Sequence, residues 1–254
     1  MSEAPPPLYG GVTEPDLRRQ RKLDRERARR AHPFGRHLDH DQPRDLYDDE
    51  AQVAPVVVAF SGHEELLGGS APVDVFDAFA DLCVRRIYVR NLIGHGHHSL
   101  GSSLDGVVAS MRALLTGHQP QVFIGTSMGG YLALVMASLL RVPYVIAINP
   151  TTTLSPEHRE EAGDERWPEI SQFLTSDLLG PFADVADAWR SGHFAPEVQL
   201  HFSYRNDVLR FQAEHVAAFP NVHLNPHFEY LPMPKIRGDG TLRRQLADMT
   251  GQQS

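Results

Sequence analysis

Ser127 sits in Gly125-Thr126-Ser127-Met128-Gly129, a spacing that suits a hydroxyl nucleophile held on a sharp turn between a strand and a helix. Such a turn presses its flanking backbones together and leaves no room for side chains there, a demand that Gly125 and Gly129 meet. An apolar run, Val122-Phe123-Ile124, enters the turn, and a stretch apolar almost all round, Tyr131 to Leu140, leaves it. The hydroxyl would then project at the carboxyl edge of a sheet, where open α/β sheets gather their ligands. The chemistry this permits is attack on a carbonyl carbon. A serine that only fills a tight turn is the alternative reading.

Three further groups of residues invite chemical readings. His95, His97 and His98 are spaced closely enough to share a zinc ion, but no neighbouring Asp, Glu or Cys completes a ligand set. No metal and no cofactor is therefore expected, and His95 is expected to line the substrate cleft. Trp167 and Trp189 lie in a strandless insertion at about residues 151–195, which also carries Phe173, Phe182 and Phe194. That insertion reads as a helical lid whose aromatic side chains either cover an acyl or glycan ligand or, as is commoner on short helices, pack the lid onto the sheet. Cys83, the only cysteine, excludes an intrachain disulfide, and helical spacing from Val75 makes it a small core residue.

These residues need elements to position them. From Val53 onward, short β-branched runs alternate with longer helical patterns, which implies parallel strands joined by crossover helices. Strands are expected at Val56 to Phe60, Arg86 to Arg90, Val122 to Ile124, Val145 to Ile148, Val198 to Ser203 and from Val222. Helices are expected at Val75 to Cys83, Leu104 to Leu115, Tyr131 to Leu140, Ala213 to Phe219 and Thr241 to Met249. Residues 1–50 differ: Pro5-Pro6-Pro7 opens a charged arm that has too few apolar positions to cover a core. The expected organisation is this arm followed by one domain over residues 51–254. A solvated arm, a contact with a second copy or another protein, or binding to an anionic surface are the roles open to it, the last weakened by Asp24, Glu26 and Asp48-Asp49-Glu50.

Apolar residues make up 41% of the chain and charged ones 22%, enough of the first to bury a sizeable core. The net charge of −8 argues against a nucleic-acid partner, because phosphate binding needs a positive face. No apolar run reaches the roughly eighteen residues of a membrane span, and no secretory h-region opens the chain, so a cytoplasmic protein is expected.

Three segments resemble the α/β-hydrolase superfamily in order and spacing: Val56 to Gly62, Asn91-Leu92-Ile93-Gly94-His95-Gly96, and Gly125 to Gly130. A narrower similarity, in Phe60-Ser61-Gly62, Arg86 to Asn91 and Ser127 to Pro150, points to hydrolase-like proteins of bacterial surface-polysaccharide gene clusters. The resemblance implies an α/β-hydrolase fold: a mostly parallel central sheet, helices on both faces and a lid insertion. It implies an oxyanion hole from the backbone N–H groups of Met128 and His63, and a triad acid at Asp207. Asp207 could equally cap the helix that follows it. The superfamily's imidazole would fall near Leu231-Pro232-Met233-Pro234, which holds none. His227 is the candidate in its place, if Pro226 ends the last strand early. The implied activity is a serine hydrolase that cleaves a small-molecule carboxylic ester or thioester through an acyl-enzyme. An acyltransferase would use the same serine, and a chain that had lost its base would be a binding or scaffold protein.

Overall fold

The computed structural model describes residues 44–47, 55–62, 66–89, 104–166 and 180–252. Among the described residues, seven strands form one sheet in the order β1-β3-β2-β4-β5-β6-β7. They are β1 (Arg44–Tyr47), β2 (Val56–Phe60), β3 (Arg85–Val89), β4 (Gln121–Thr126), β5 (Tyr144–Ile148), β6 (Glu197–Ser203) and β7 (Val222–His227). Strands β2 to β7 run parallel, and β1 lies antiparallel on β3. Arg44–Tyr47 therefore belongs to the sheet, although its composition groups it with the charged arm. Antiparallel pairing needs only a few residues, too short a run to stand out as a pattern.

The inner parallel strands β2 to β5 are buried on both faces, as near-continuous β-branched runs require. Val56, Val58, Phe60 and Phe123 face one core, and Val57, Ala59, Val122 and Ile124 face the other. On the first side lie α2 (Leu104–Leu115), α3 (Met128–Leu140), α5 (Val185–Arg190) and α6 (Asp207–Glu214). On the second lie α1 (Pro72–Asp77), α7 (Pro232–Gly238) and α8 (Thr241–Thr250). The short helix α4 (Pro156–Glu161) follows β5. Helix α3 is buried almost all round, which explains why its sequence shows no polar face. No described helix is long and apolar enough to cross a membrane.

Several elements depart from the sequence pattern for identifiable reasons. Helix α1 stops at Asp77, well before Cys83, because the buried Arg86 guanidinium takes the carbonyls of Phe79, Ala80 and Leu82. Cys83 is consequently exposed, and its backbone N–H and C=O both bond the Gln252 amide. Pro226 does not end β7. That strand is the sheet's edge, where a missing N–H costs nothing, so it runs on through Pro226 to His227. Leu231-Pro232-Met233-Pro234 is the start of α7, because Pro232 supplies the preset φ that suits a first helical position. The pattern at Ala213 to Phe219 shifts as well: α6 begins at Asp207 under the Asn206 side chain, which accepts from the Leu209 N–H.

Candidate active site

Ser127 joins β4 to α3 at φ 54° and ψ −121°, a conformation that costs an ordinary residue about 1–3 kcal/mol and persists only where surroundings enforce it. The enforcement is visible in the glycines. A Cβ on Gly125 would lie 2.2 Å from the Gly129 carbonyl oxygen, and one on Gly129 would lie 2.3 Å from those of Phe60 and Ser61. The ends of β2 and β4 and the first turn of α3 are thus in backbone contact. The Ser127 N–H donates to Ile148 O at 3.0 Å, and its carbonyl accepts from Tyr131 and Thr151 N–H groups, each at 3.2 Å. The residue is half-buried, and its hydroxyl makes no hydrogen bond to any described residue. Met128 opens α3, so its N–H is among the leading donors that no helical carbonyl can satisfy.

Around this turn the polar groups hold the scaffold. Thr126 Oγ1 accepts from Gly68 N–H at 3.1 Å and donates to Leu66 O at 3.4 Å. Asn149, at φ 44°, bridges two elements: its Oδ1 accepts from Ser203 N–H at 2.9 Å and its Nδ2 donates to Tyr230 O at 2.8 Å. That last bond ties the connection after β7 back across the sheet edge. The residues it brings there are Leu231 and Met233, whose side chains crowd Gly69 and Gly68 at 2.9 and 2.8 Å from their would-be Cβ atoms. Gly68 in turn bonds Thr126, the neighbour of Ser127.

No protein family and no curated protein matches the sequence. Solved structures do match its fold. A hormone-sensitive lipase from a metagenome library is 16% identical, with a TM-score of 0.55 over 93% of each chain. A hyperthermophilic esterase from the archaeon Pyrobaculum calidifontis is 13% identical, with a TM-score of 0.54 over 97% of this chain and 99% of that one. A fungal esterase from Rhizomucor miehei is 11% identical, with a TM-score of 0.54 over 92% and 93%. The fold is that of the α/β hydrolases.

On this α/β-hydrolase frame, the remaining residues singled out from sequence do not assemble into a triad. His227 ends β7, and Thr126, Ile148, His201 and Asn225 pair in register across the sheet. Three strand intervals of about 4.8 Å separate β4 from β7, so His227 starts about 14 Å to the side of Ser127, farther than the two side chains can span. Its Nε2 instead lies 2.8 Å from His201 Nδ1. Asp207 is the first residue of α6; its carboxylate is 84% exposed and pairs with Arg210 at 2.8 Å. A triad acid works by orienting an imidazole, and among the described residues the charged partner of Asp207 is this arginine. Trp189 is a core residue rather than a ligand cover: it is 5% exposed, its Nε1–H donates to Ser138 Oγ at 2.9 Å, and its ring meets Phe219 edge-on. Phe182 is likewise buried, packed in the core that α3 shares. His63, His95 and Trp167 lie outside the described residues.

Two networks went unrecognised in the sequence. The Gln212 amide accepts from the N–H groups of Thr152 and Thr153 and reaches Asp164 Oδ2 at 3.3 Å, pinning the chain after β5 onto α6. Asp164 is itself bidentate to Arg166. The buried Tyr131 hydroxyl, one turn along α3 from Ser127, donates to Phe182 O at 2.5 Å. Close by, Asp184 Oδ2 lies 3.0 Å from His158 Nδ1 and 2.7 Å from His215 Nε2. Burial opposes ionisation of Asp184, but the His215 ring, the Asp187 N–H and the Thr153 hydroxyl outweigh it and hold the carboxyl well below the usual carboxylate range. No local sequence signal marks this trio, since its members lie on three separate elements.

Proposed function

We propose that the chain is a serine hydrolase that cleaves a small-molecule carboxylic ester or thioester, with Ser127 as the acyl acceptor. The observation that carries this reading is the Ser127 backbone at φ 54°, enforced by Gly125 and Gly129. A strained turn at a sheet edge, with the hydroxyl unclaimed by described neighbours, has a chemical rationale and no evident structural one. The matched structures are by name esterases and a lipase, which supports the same class. In this reading the Met128 N–H, at the start of α3, would meet the oxyanion that forms as the hydroxyl adds to a carbonyl, a contribution of about 3 kcal/mol per well-aimed donor. The arrangement at His227 and Asp207 leaves the base to be found elsewhere. His63, His95, His97 and His98, which follow β2 and β3 in the chain and lie outside the described residues, are the candidates. The acyl group passes to water in a hydrolase and to a second alcohol in an acyltransferase. The cytoplasm is the compartment this reading assigns.

One observation favours a second reading, a binding or scaffold protein on the same frame. Met233, fully buried, is what the connection after β7 delivers beside Gly68 and Thr126. An apolar side chain there accepts no proton. Incubation with a fluorophosphonate followed by intact mass separates the two readings. A single adduct that Ser127→Ala abolishes supports the enzyme; a folded protein that stays unmodified supports the binder.

A further inference from the structure

The trio His158, Asp184 and His215 is more than a set of surface polar groups. The side chains of Asp184 and His215 are 6% and 10% exposed, whereas that of His158 is 30% exposed. The three donor atoms lie within 4.8 Å of one another, with both imidazole nitrogens converging on the same carboxylate oxygen. Ligand atoms bound about 2.0–2.1 Å from one zinc ion stand roughly 3 Å apart along the edges of its coordination polyhedron. The two nitrogen–oxygen separations, 3.0 and 2.7 Å, are already close to that spacing.

The surroundings hold each donor in place. Asp184 Oδ1 accepts from the Asp187 N–H at 3.0 Å, which fixes the carboxylate plane and leaves Oδ2 facing the two rings. The His215 ring stacks on Phe211, and the His158 ring stands 4.8 Å from it, centroid to centroid. Outer contacts of this kind are what orient the ligands in metal sites. The donors come from α4, from the residue that caps α5, and from the residue that follows α6. One ion there would bolt both described ends of the insertion to the sheet's flanking helix.

We infer that His158, Asp184 and His215 form a binding site for one divalent cation of the zinc class, with the fourth position open on the exposed His158 side. Two imidazoles and one carboxylate select zinc, cobalt or nickel over magnesium or calcium, which prefer all-oxygen sets. Without metal, each ring N–H bonds the carboxylate; the cation takes the place of those protons.

The test is calorimetric titration of zinc chloride into the chelator-treated full-length chain, with cobalt absorption as a second readout. One equivalent should bind at micromolar strength or better, and His158→Ala and His215→Gln should each weaken it by about tenfold or more. Both variants are checked for fold by circular dichroism, and the more exposed His158 is the safer of the two. A triple variant, His95→Ala, His97→Ala and His98→Ala, should leave the stoichiometry unchanged. The inference is overturned if no saturable binding appears, if both single variants bind like the parent, or if the triple variant abolishes uptake.

Discussion

The Nε2 of His227 lies 2.8 Å from the Nδ1 of His201, and His201 Nε2 lies 3.0 Å from Gln245 Oε1. The Gln245 Nε2 donates to Gln199, so its oxygen faces the ring and assigns the His201 proton to Nε2. His201 Nδ1 then accepts from His227. Burial lowers the His201 pKa to about 4, only partly opposed by Gln245, and burial also lowers that of His227. Folding therefore favours neutral rings where the unfolded chain binds protons. Stability should be complete above pH 6.5 and decline as pH falls toward about 4, by on the order of 2 to 3 kcal/mol from His201 alone. Urea unfolding of the parent and of His201→Asn at pH 7 and pH 4.5 measures it. Equal pH slopes in the two proteins would refute the assignment.

The same contact bears on activity. Since His227 is engaged three strands away from β4, His227→Ala should retain kcat/KM toward p-nitrophenyl acetate within about tenfold, and Asp207→Asn within about threefold. Ser127→Ala should remove it. A loss of about a thousandfold in His227→Ala would restore that residue as the base and would mean that β7 ends differently in the working enzyme.

Crowding and backbone conformation can be separated by two alanine substitutions. Gly125→Ala should cost roughly 3 kcal/mol or more, because its Cβ would fall 2.2 Å from a backbone oxygen that cannot move without shifting α3. Gly117, at φ 84° with open space within 4 Å of where a Cβ would sit, should cost only about 1–2 kcal/mol on the same change. Thermal unfolding distinguishes them, and similar losses would contradict the contact argument.

Relief of strain at the turn is testable directly. Ser127→Gly removes the side chain that makes φ 54° unfavourable and should raise stability by about 1 kcal/mol, whereas Ser127→Ala keeps the strain and should change little. A lower melting temperature for the glycine variant than for the alanine variant would count against a strained turn.

The central strands were legible because parallel strands buried on both faces must be written in continuous β-branched residues, as Val56 to Ala59 and Val145 to Ile148 are. The Ser127 turn was legible because two close backbone approaches demand glycine at fixed offsets. What escaped depends on contacts between distant residues. Arg86 ends α1 from the strand that follows it, and no pattern within Val75 to Cys83 announces it. His227 looked available because edge position, which lets a strand continue through Pro226, is a property of the sheet and not of the residue. Trp189 resembled a ligand cover because aromatic residues carry the same signature whether they meet a substrate or, as here, Ser138 and Phe219. His158, Asp184 and His215 are brought together by folding alone.

The insertion is secured at both margins by contacts that do not involve its middle. Asp164, itself paired with Arg166, accepts from Gln212 on one side, and the Phe182 carbonyl accepts from Tyr131 on the other. A substitution at Gln212 should therefore slacken one margin while the other stays fastened, and one at Tyr131 should do the reverse.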